Sequence, residues 1–358
     1  ARAFAMTLAQ LRTLRLALGT TLCLVFSQMV GWPLSYLAPV ITLSFLGLPL
    51  PALKPTAGIK FLVLLALTLA AGTWLLPTLL YYELAGVLLF SLALFFTFYL
   101  TAKGGPAVLG SLLTISLALT AGIGTVSIDA LLAIIQGVLI AAVVGLLFTW
   151  LAHGLLPDAK ALPLVLPPGA KKPAKPPPPP LAVARFRAMR SLVVVLPIVS
   201  WLVVSGSSAS YVAVLIKVAS MGQQATVGGT SKAARSLLGA TLIGGIGAVL
   251  GWQVLSIWPS LVMYALVVAF AGLVMGKRLF AGPALSATGP MWSYGYLTMI
   301  VILAPAVMDS AGGSEAGAAF WSRLVMFAGA TVYSVIAVTV FDAFFSARST
   351  KIAAAKPA

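Results

Sequence analysis

The sequence predicts an all-α polytopic membrane protein of about 12 transmembrane helices, arranged as two parallel six-helix repeats about a pseudo-two-fold axis along the membrane normal. Three observations carry that expectation. Of 358 residues, 61% are hydrophobic and only 8% are charged, with a mean hydropathy of +1.10, whereas a soluble domain carries about 25% charged residues. Apolar runs of the length a spanning helix needs, about 20 residues, recur along the whole chain. The second half of the sequence also repeats the first.

Taken in order, the runs fall near residues 13–31, 34–52, 58–77, 82–101, 106–122 and 129–153. After a polar gap they resume near 189–206, 208–227, 235–255, 259–276, 286–307 and 318–343. The charges orient them. Arg2, Arg12 and Arg15 precede the first run, which puts the N-terminus in the cytoplasm. Every second loop is then cytoplasmic, and 20 of the 22 Lys and Arg residues fall there, the exceptions being Lys217 and Arg323. Glu83, Asp129, Asp309 and Glu315 fall on the opposite side. The formal charge of +16 is therefore a topology signal, drawn also to anionic inner-leaflet lipid, and no nucleic-acid partner is implied. Arginines ahead of an apolar stretch also describe a signal peptide. The same pattern opens the second half, where cleavage makes no sense.

Residues 1–154 thus form the first repeat, 187–346 the second, and 347–358 a short cytoplasmic tail. Between the repeats, 155–186 read as a cytoplasmic linker, because Lys171, Lys172, Lys175 and the run Pro176–Pro180 favour extended polyproline over helix.

An offset of 175 residues aligns the halves without a gap over some sixty positions. Arg12 and Arg15 meet Arg187 and Arg190, Tyr36-Leu-Ala38 meets Tyr211-Val-Ala213, and Gly47 meets Gly222. Lys60 meets Arg235, Gly72 meets Gly247, and Lys103 meets Arg278. Gly105-Pro106-Ala107 returns two residues out of step as Gly282-Pro283-Ala284. An even number of helices per half gives both halves the same orientation, hence an axis along the normal. The Arg-x-x-Arg entry, the Tyr-x-Ala ahead of the second helix, and the glycine-rich helix after a basic loop (Lys232–Gly251) resemble the fusaric acid resistance and aromatic acid exporter (FUSC-like) superfamily. That resemblance covers 10–153 and 185–345, and it implies a proton-driven exporter of aromatic carboxylic acids in the bacterial inner membrane. It also implies a periplasmic adaptor (membrane fusion) protein as partner, and a homo-oligomer is compatible with it. Larger members carry a cytoplasmic domain after each six-helix set. Here only the linker and tail remain, so the chain resembles a compact branch.

Since a shared scaffold explains what the halves have in common, the site is sought where they differ. Thr42 is matched by Lys217, and Leu48-Pro49 by Gln223-Gln224. Lys217 falls near the middle of its run, where a charge costs at least ~2.5–3.5 kcal/mol unless it faces a cavity or partner; Ser220 and Gln224 share its helical face. The opposing reading is a snorkelling or carbonyl-paired lysine. The second difference is an insertion around the eleventh run, Gly289-Pro290-Met291-Trp292-Ser-Tyr294-Gly295-Tyr296. A Gly-Pro inside a span breaks it, and Trp292, Tyr294 and Tyr296 offer flat faces to an aromatic ligand or form an interfacial belt. Tyr211 and Tyr36, present in both repeats, complete the candidate binding residues.

For ion coupling the candidates are Lys217, Asp309, Asp129 and Arg323. Asp129 follows Ser127 at a helix start, the place for a cap and a first-turn acid, and an Asp129–Arg323 ion pair across the repeats is the other reading. Cys23, His153 and the glycines Gly244, Gly245, Gly247 and Gly251 read as packing.

The chemical inventory argues against an enzyme and against a cofactor or metal. One histidine, one cysteine and six carboxylates show no acid–base or metal-ligand spacing, and no phosphate-binding Gly-rich loop is present. The leading expectation is secondary active export of small organic anions. The alternatives are a passive organic-anion channel, a major-facilitator-type transporter and a lipid-modifying enzyme. Neither loop between a half's second and third helices has the Gly-x-x-x-Asp-Arg pattern of the facilitators.

Overall fold

The computed structural model describes residues 7–157, 179–204, 231–282, 285–311 and 316–354, together with Val214, Ile216, Val218 and Met221. Among these residues the chain is all-helical, without a strand. Among the described residues nine helices are long and apolar enough to cross a membrane, which is the make-up of a multi-pass membrane protein.

The first helix, α1 (Leu8–Val30), opens on a capping box in which the Thr7 hydroxyl accepts from the Gln10 backbone N–H, and it closes on Gly31 in the left-handed conformation (φ +61°). The next run yields α2 (Leu37–Leu46), only 10 residues long. At 1.5 Å per residue this is about 15 Å, half a bilayer, so the expected full span at 34–52 is not formed. The run containing Pro55 gives α3 (Pro55–Trp74), which bends into α4 (Leu76–Tyr81) around Pro77. Then follow α5 (Glu83–Ala102), α6 (Ala107–Leu119) running into a π-helical turn at Thr120–Gly124, and α7 (Ile128–Leu155). In the second half come α8 (Leu181–Val204), α9 (Ser231–Ile257), α10 (Leu261–Leu279), α11 (Gly289–Ala311) and the long α12 (Ala316–Ala354). Lys217, Ser220, Gln224, Tyr211 and the linker lie outside the described residues.

One expectation is overturned. Gly289 and Pro290 do not break a span; they start α11, which then runs unbroken to Ala311. Proline lacks only an N–H that the first turn leaves unused anyway. The extra residues are taken up by the turn ahead of α11, where the Ser286 amide bonds the Leu279 carbonyl.

Helix α1 sits inside the bundle, packed on α2, α7 and α10, while α5 packs on α8, α3 on α6, and α9 on α11. Small residues set the closest crossings. A Cβ on Gly272 of α10 would fall 2.9 Å from the Ala17 backbone, and one on Gly276 3.1 Å from Thr13. Glycines 244, 247 and 251 bring α9 against Gly295, Met299 and Leu303 of α11, the packing role the sequence suggested.

The basic end of the bundle is tied by arginines. Buried Arg15 donates to the Leu156 carbonyl at the C-terminus of α7 through Nε (3.0 Å) and a terminal nitrogen. Its counterpart in the sequence alignment, Arg190, equally buried, donates from one terminal nitrogen to both carboxylate oxygens of Asp342 of α12, at 3.1 and 2.9 Å. Nearby, Arg12 reaches the Pro49 carbonyl and the Trp150 indole donates to the Leu53 carbonyl. At the other end Trp74, Tyr81, Tyr82 and Trp258 are exposed, as interfacial aromatics are.

Candidate functional site

At the end opposite the arginine ties, the chain between α1 and α2 makes a tight turn. The Ser35, Leu37 and Ala38 amides bond the Trp32, Leu34 and Ser35 carbonyls, and Leu34 takes a left-handed φ of +60°. A residue with a Cβ holds that conformation only when its surroundings enforce it. The enforcement comes from α7, where Gly137 leaves room for the Pro33 carbonyl to sit against its Cα. The turn delivers Ser35 and Tyr36, both buried, into the core.

Here the two halves of the sequence meet. The Ser35 hydroxyl contacts the Met308 sulfur of α11 at 3.7 Å. One residue on, Asp309 accepts from Arg323 of α12 at 2.5 Å, with side chains 30% and 14% exposed. The Arg323 guanidinium also acts electrostatically on Tyr36. Arg323 lies seven residues into α12, about 10 Å from its start, while Asp309 stands two residues before the end of α11. A partly buried guanidinium paired with one carboxylate can exchange it for another anion of the same shape, because its planar fork matches any carboxylate.

Three of the sequence candidates, Tyr36, Asp309 and Arg323, are therefore gathered in one place. The others are not. Asp129 does not pair with Arg323; it is exposed in the first turn of α7, where Ser127 caps the Ala130 amide. Arg323 takes Asp309 instead, because both flank the short connection between α11 and α12. The aromatic residues of α11 also stay apart. Trp292 lies at the opposite end under Arg278, 5.9 Å from the guanidinium to the ring. It is 17 residues from Asp309 along one helix, about 26 Å. Tyr296 is fully buried and its hydroxyl donates to the Val268 carbonyl at 2.9 Å, so its polar tip is already engaged. Tyr294 is partly buried on another face.

What the sequence reading missed is a set of polar atoms on α1. The side chains of Thr20, Thr21, Ser27, Gln28 and Trp32 each bury a polar atom that finds no hydrogen-bond partner, as does Tyr264 of α10. The seven-residue spacing from Thr20 to Ser27 and from Thr21 to Gln28 was legible as one helical face. Among the described residues no cluster of His, Cys, Asp or Glu could hold a metal ion.

Comparison with known proteins gives one match. Residues 12–152, the first half of the chain, match a family described as "Protein of unknown function (DUF2955)". No curated protein and no solved structure matches the chain.

Proposed function

We propose that this protein is a secondary active exporter of small organic anions, aromatic carboxylates first among them, in the bacterial inner membrane, and that Arg323 with Asp309 and Tyr36 forms its anion-responsive site. The architecture behind the proposal is two parallel six-helix repeats with the basic end in the cytoplasm. Its support is the reciprocal packing of the halves. The first helix of each half (α1, α8) lies on a helix of the other half (α10, α5), the reciprocity that a two-fold relation between the halves would give. Arg15 and Arg190 occupy repeat-equivalent places and each ties the last helix of its own half.

The observation that carries the functional reading is the partly buried Arg323–Asp309 pair, set between the halves with Tyr36 of the first half beside it. An ion pair is a costly thing to keep among apolar helices, and in membrane proteins such groups mark pathways for ions and charged substrates. A substrate carboxylate competes with Asp309 for the guanidinium, whose planar fork accepts either. The inside-negative potential favours exit of an anion by about 2.3 kcal/mol per charge per 100 mV.

Growth tests the reading. Cells expressing the protein tolerate a higher external concentration of toxic aromatic acids and retain less labelled 4-hydroxybenzoate than cells carrying Arg323→Gln. Equal retention by the two strains would count against it.

A further inference from the structure

The unpartnered polar groups on α1 ask for an occupant. Thr20 and Ser27 are fully buried, Thr21, Trp32 and Tyr264 more than nine-tenths so; by distance and angle none of their polar atoms, nor the Gln28 amide nitrogen, meets a hydrogen-bond partner, with Ser27 only near the Cys23 thiol and Thr20 and Thr21 near the Tyr296 hydroxyl. A membrane interior offers no bulk water to satisfy them. Tyr264 belongs to the same set by geometry. The antiparallel crossing that sets Gly276 against Thr13 and Gly272 against Ala17 puts Tyr264 level with residues 24 and 25 of α1, between the two Thr/Ser/Gln pairs. Tyr264 lies beside Tyr296, and Thr20 and Thr21 flank Tyr296 without reaching hydrogen-bond geometry. From Thr20 to the end of α1 at Val30 the chain covers about 15 Å at helical rise, and Trp32 follows just past the Gly31 cap. The row leads to the turn at Ser35 and Tyr36, and so to Arg323.

The chemistry of the row is one-sided. The indole Nε1 and the amide Nε2 only donate, and the four hydroxyls can turn their protons toward the same space. There is no cation among them. We infer that the α1 face with Tyr264 is a neutral, donor-lined path for a desolvated carboxylate, handing it between uncharged N–H and O–H groups toward Arg323. Neutral donors stabilise an anion without the deep trap a buried cation makes, which lets it move on. This inference rests on the proposed export function.

The test uses purified protein in proteoliposomes with 4-hydroxybenzoate and phthalate, protein-free vesicles serving as the blank. Thr20→Val and Tyr264→Phe each remove a hydroxyl that has no partner and leave the shape nearly unchanged. Each should lower carboxylate flux about tenfold and abolish the rise in melting temperature that added carboxylate gives the wild type. The melting temperature without ligand should stay the same or rise, because an unsatisfied group is gone. Thr20→Ser, which keeps the hydroxyl, should retain flux. Unchanged carboxylate flux in both variants overturns the path and leaves the export reading standing. So does a loss of proton flux alone, which would assign the row to water, or a melting temperature that falls in step with flux, which would make the role structural. A wild type that neither moves nor is stabilised by any of the carboxylates removes both readings together.

Discussion

Asp309→Asn and Arg323→Gln, alone and combined, measure what the ion pair contributes. Two unit charges about 4 Å apart attract by ~4 kcal/mol at an effective dielectric constant of 20. Desolvation opposes this, and the 30% exposure of Asp309 admits screening water. The net coupling should therefore fall between the ~0.2–1 kcal/mol of exposed pairs and the ~3–5 kcal/mol lost when a buried pair is broken. We expect about 2 kcal/mol, roughly a thirty-fold change in the folding equilibrium. The two single substitutions should also be unequal. Asp309→Asn strands a guanidinium that is only 14% exposed beside Tyr36, whereas Arg323→Gln strands a carboxylate with twice that access to water. Asp309→Asn should destabilise more. Thermal unfolding in lipid nanodiscs of the wild type, both singles and the double gives the coupling directly. Additivity within ~0.5 kcal/mol, the tolerance for independent sites, would refute the assignment of Arg323 to Asp309.

Glycine contacts give a ranked series. Gly272→Ala sets a methyl 2.8 Å from the Tyr296 hydroxyl and 2.9 Å from the Ala17 backbone and should cost about 1–3 kcal/mol as overpacking. Gly276→Ala, with its nearest contact at 3.1 Å, should cost less, and Gly329→Ala, with open space around it, should be neutral or stabilise by up to ~1 kcal/mol through helix propensity; melting temperatures in the reverse order would contradict the α1–α10 crossing. Arg190→Ala removes the Asp342 contact at the basic end and should lower stability by about 2 kcal/mol, with Arg190→Lys, which also offers one nitrogen to both oxygens, recovering most of it. Cysteine introduced at position 171, in a Cys23→Ser background, should react with a membrane-impermeant maleimide only after cells are permeabilised; labelling of intact cells would invert the topology.

Much of the scaffold was legible because one physical requirement dominates it. Every backbone group in hydrocarbon must be bonded internally, so a run such as 129–153 has only the helix available, and α7 duly forms at Ile128–Leu155. The run at 34–52 fails the same reasoning because composition cannot see that Pro33 and Leu34 start a tight turn and that Gly47 ends the helix after 10 residues. The sequence aligned Arg15 with Arg190, yet it could not tell that one arginine takes a carbonyl and the other a carboxylate. Asp342 has no counterpart at Leu156. The site was only half legible. Difference between the repeats pointed to Lys217, which lies outside the described residues, and to the α11 aromatics, of which Trp292 stands 17 residues from Asp309 on the same helix. Arg323 and Asp309 stood out as charges in apolar runs, and their pairing needed the chain reversal between α11 and α12. The α1 hydroxyls gave no charge and no motif to notice. Only their burial without partners marks them.

The most direct test of the central claim is carboxylate movement against its own gradient. Proteoliposomes loaded with equal phthalate inside and out, clamped at zero potential, are given a pH step, and the internal phthalate is followed with protein-free vesicles subtracted. Coupled transport predicts a net, transient displacement of phthalate that reverses when the pH step is reversed and is lost in Arg323→Gln. Flux that answers only to an imposed potential would make the protein a passive anion channel, and no flux above the protein-free blank with phthalate, benzoate or 4-hydroxybenzoate would contradict the account.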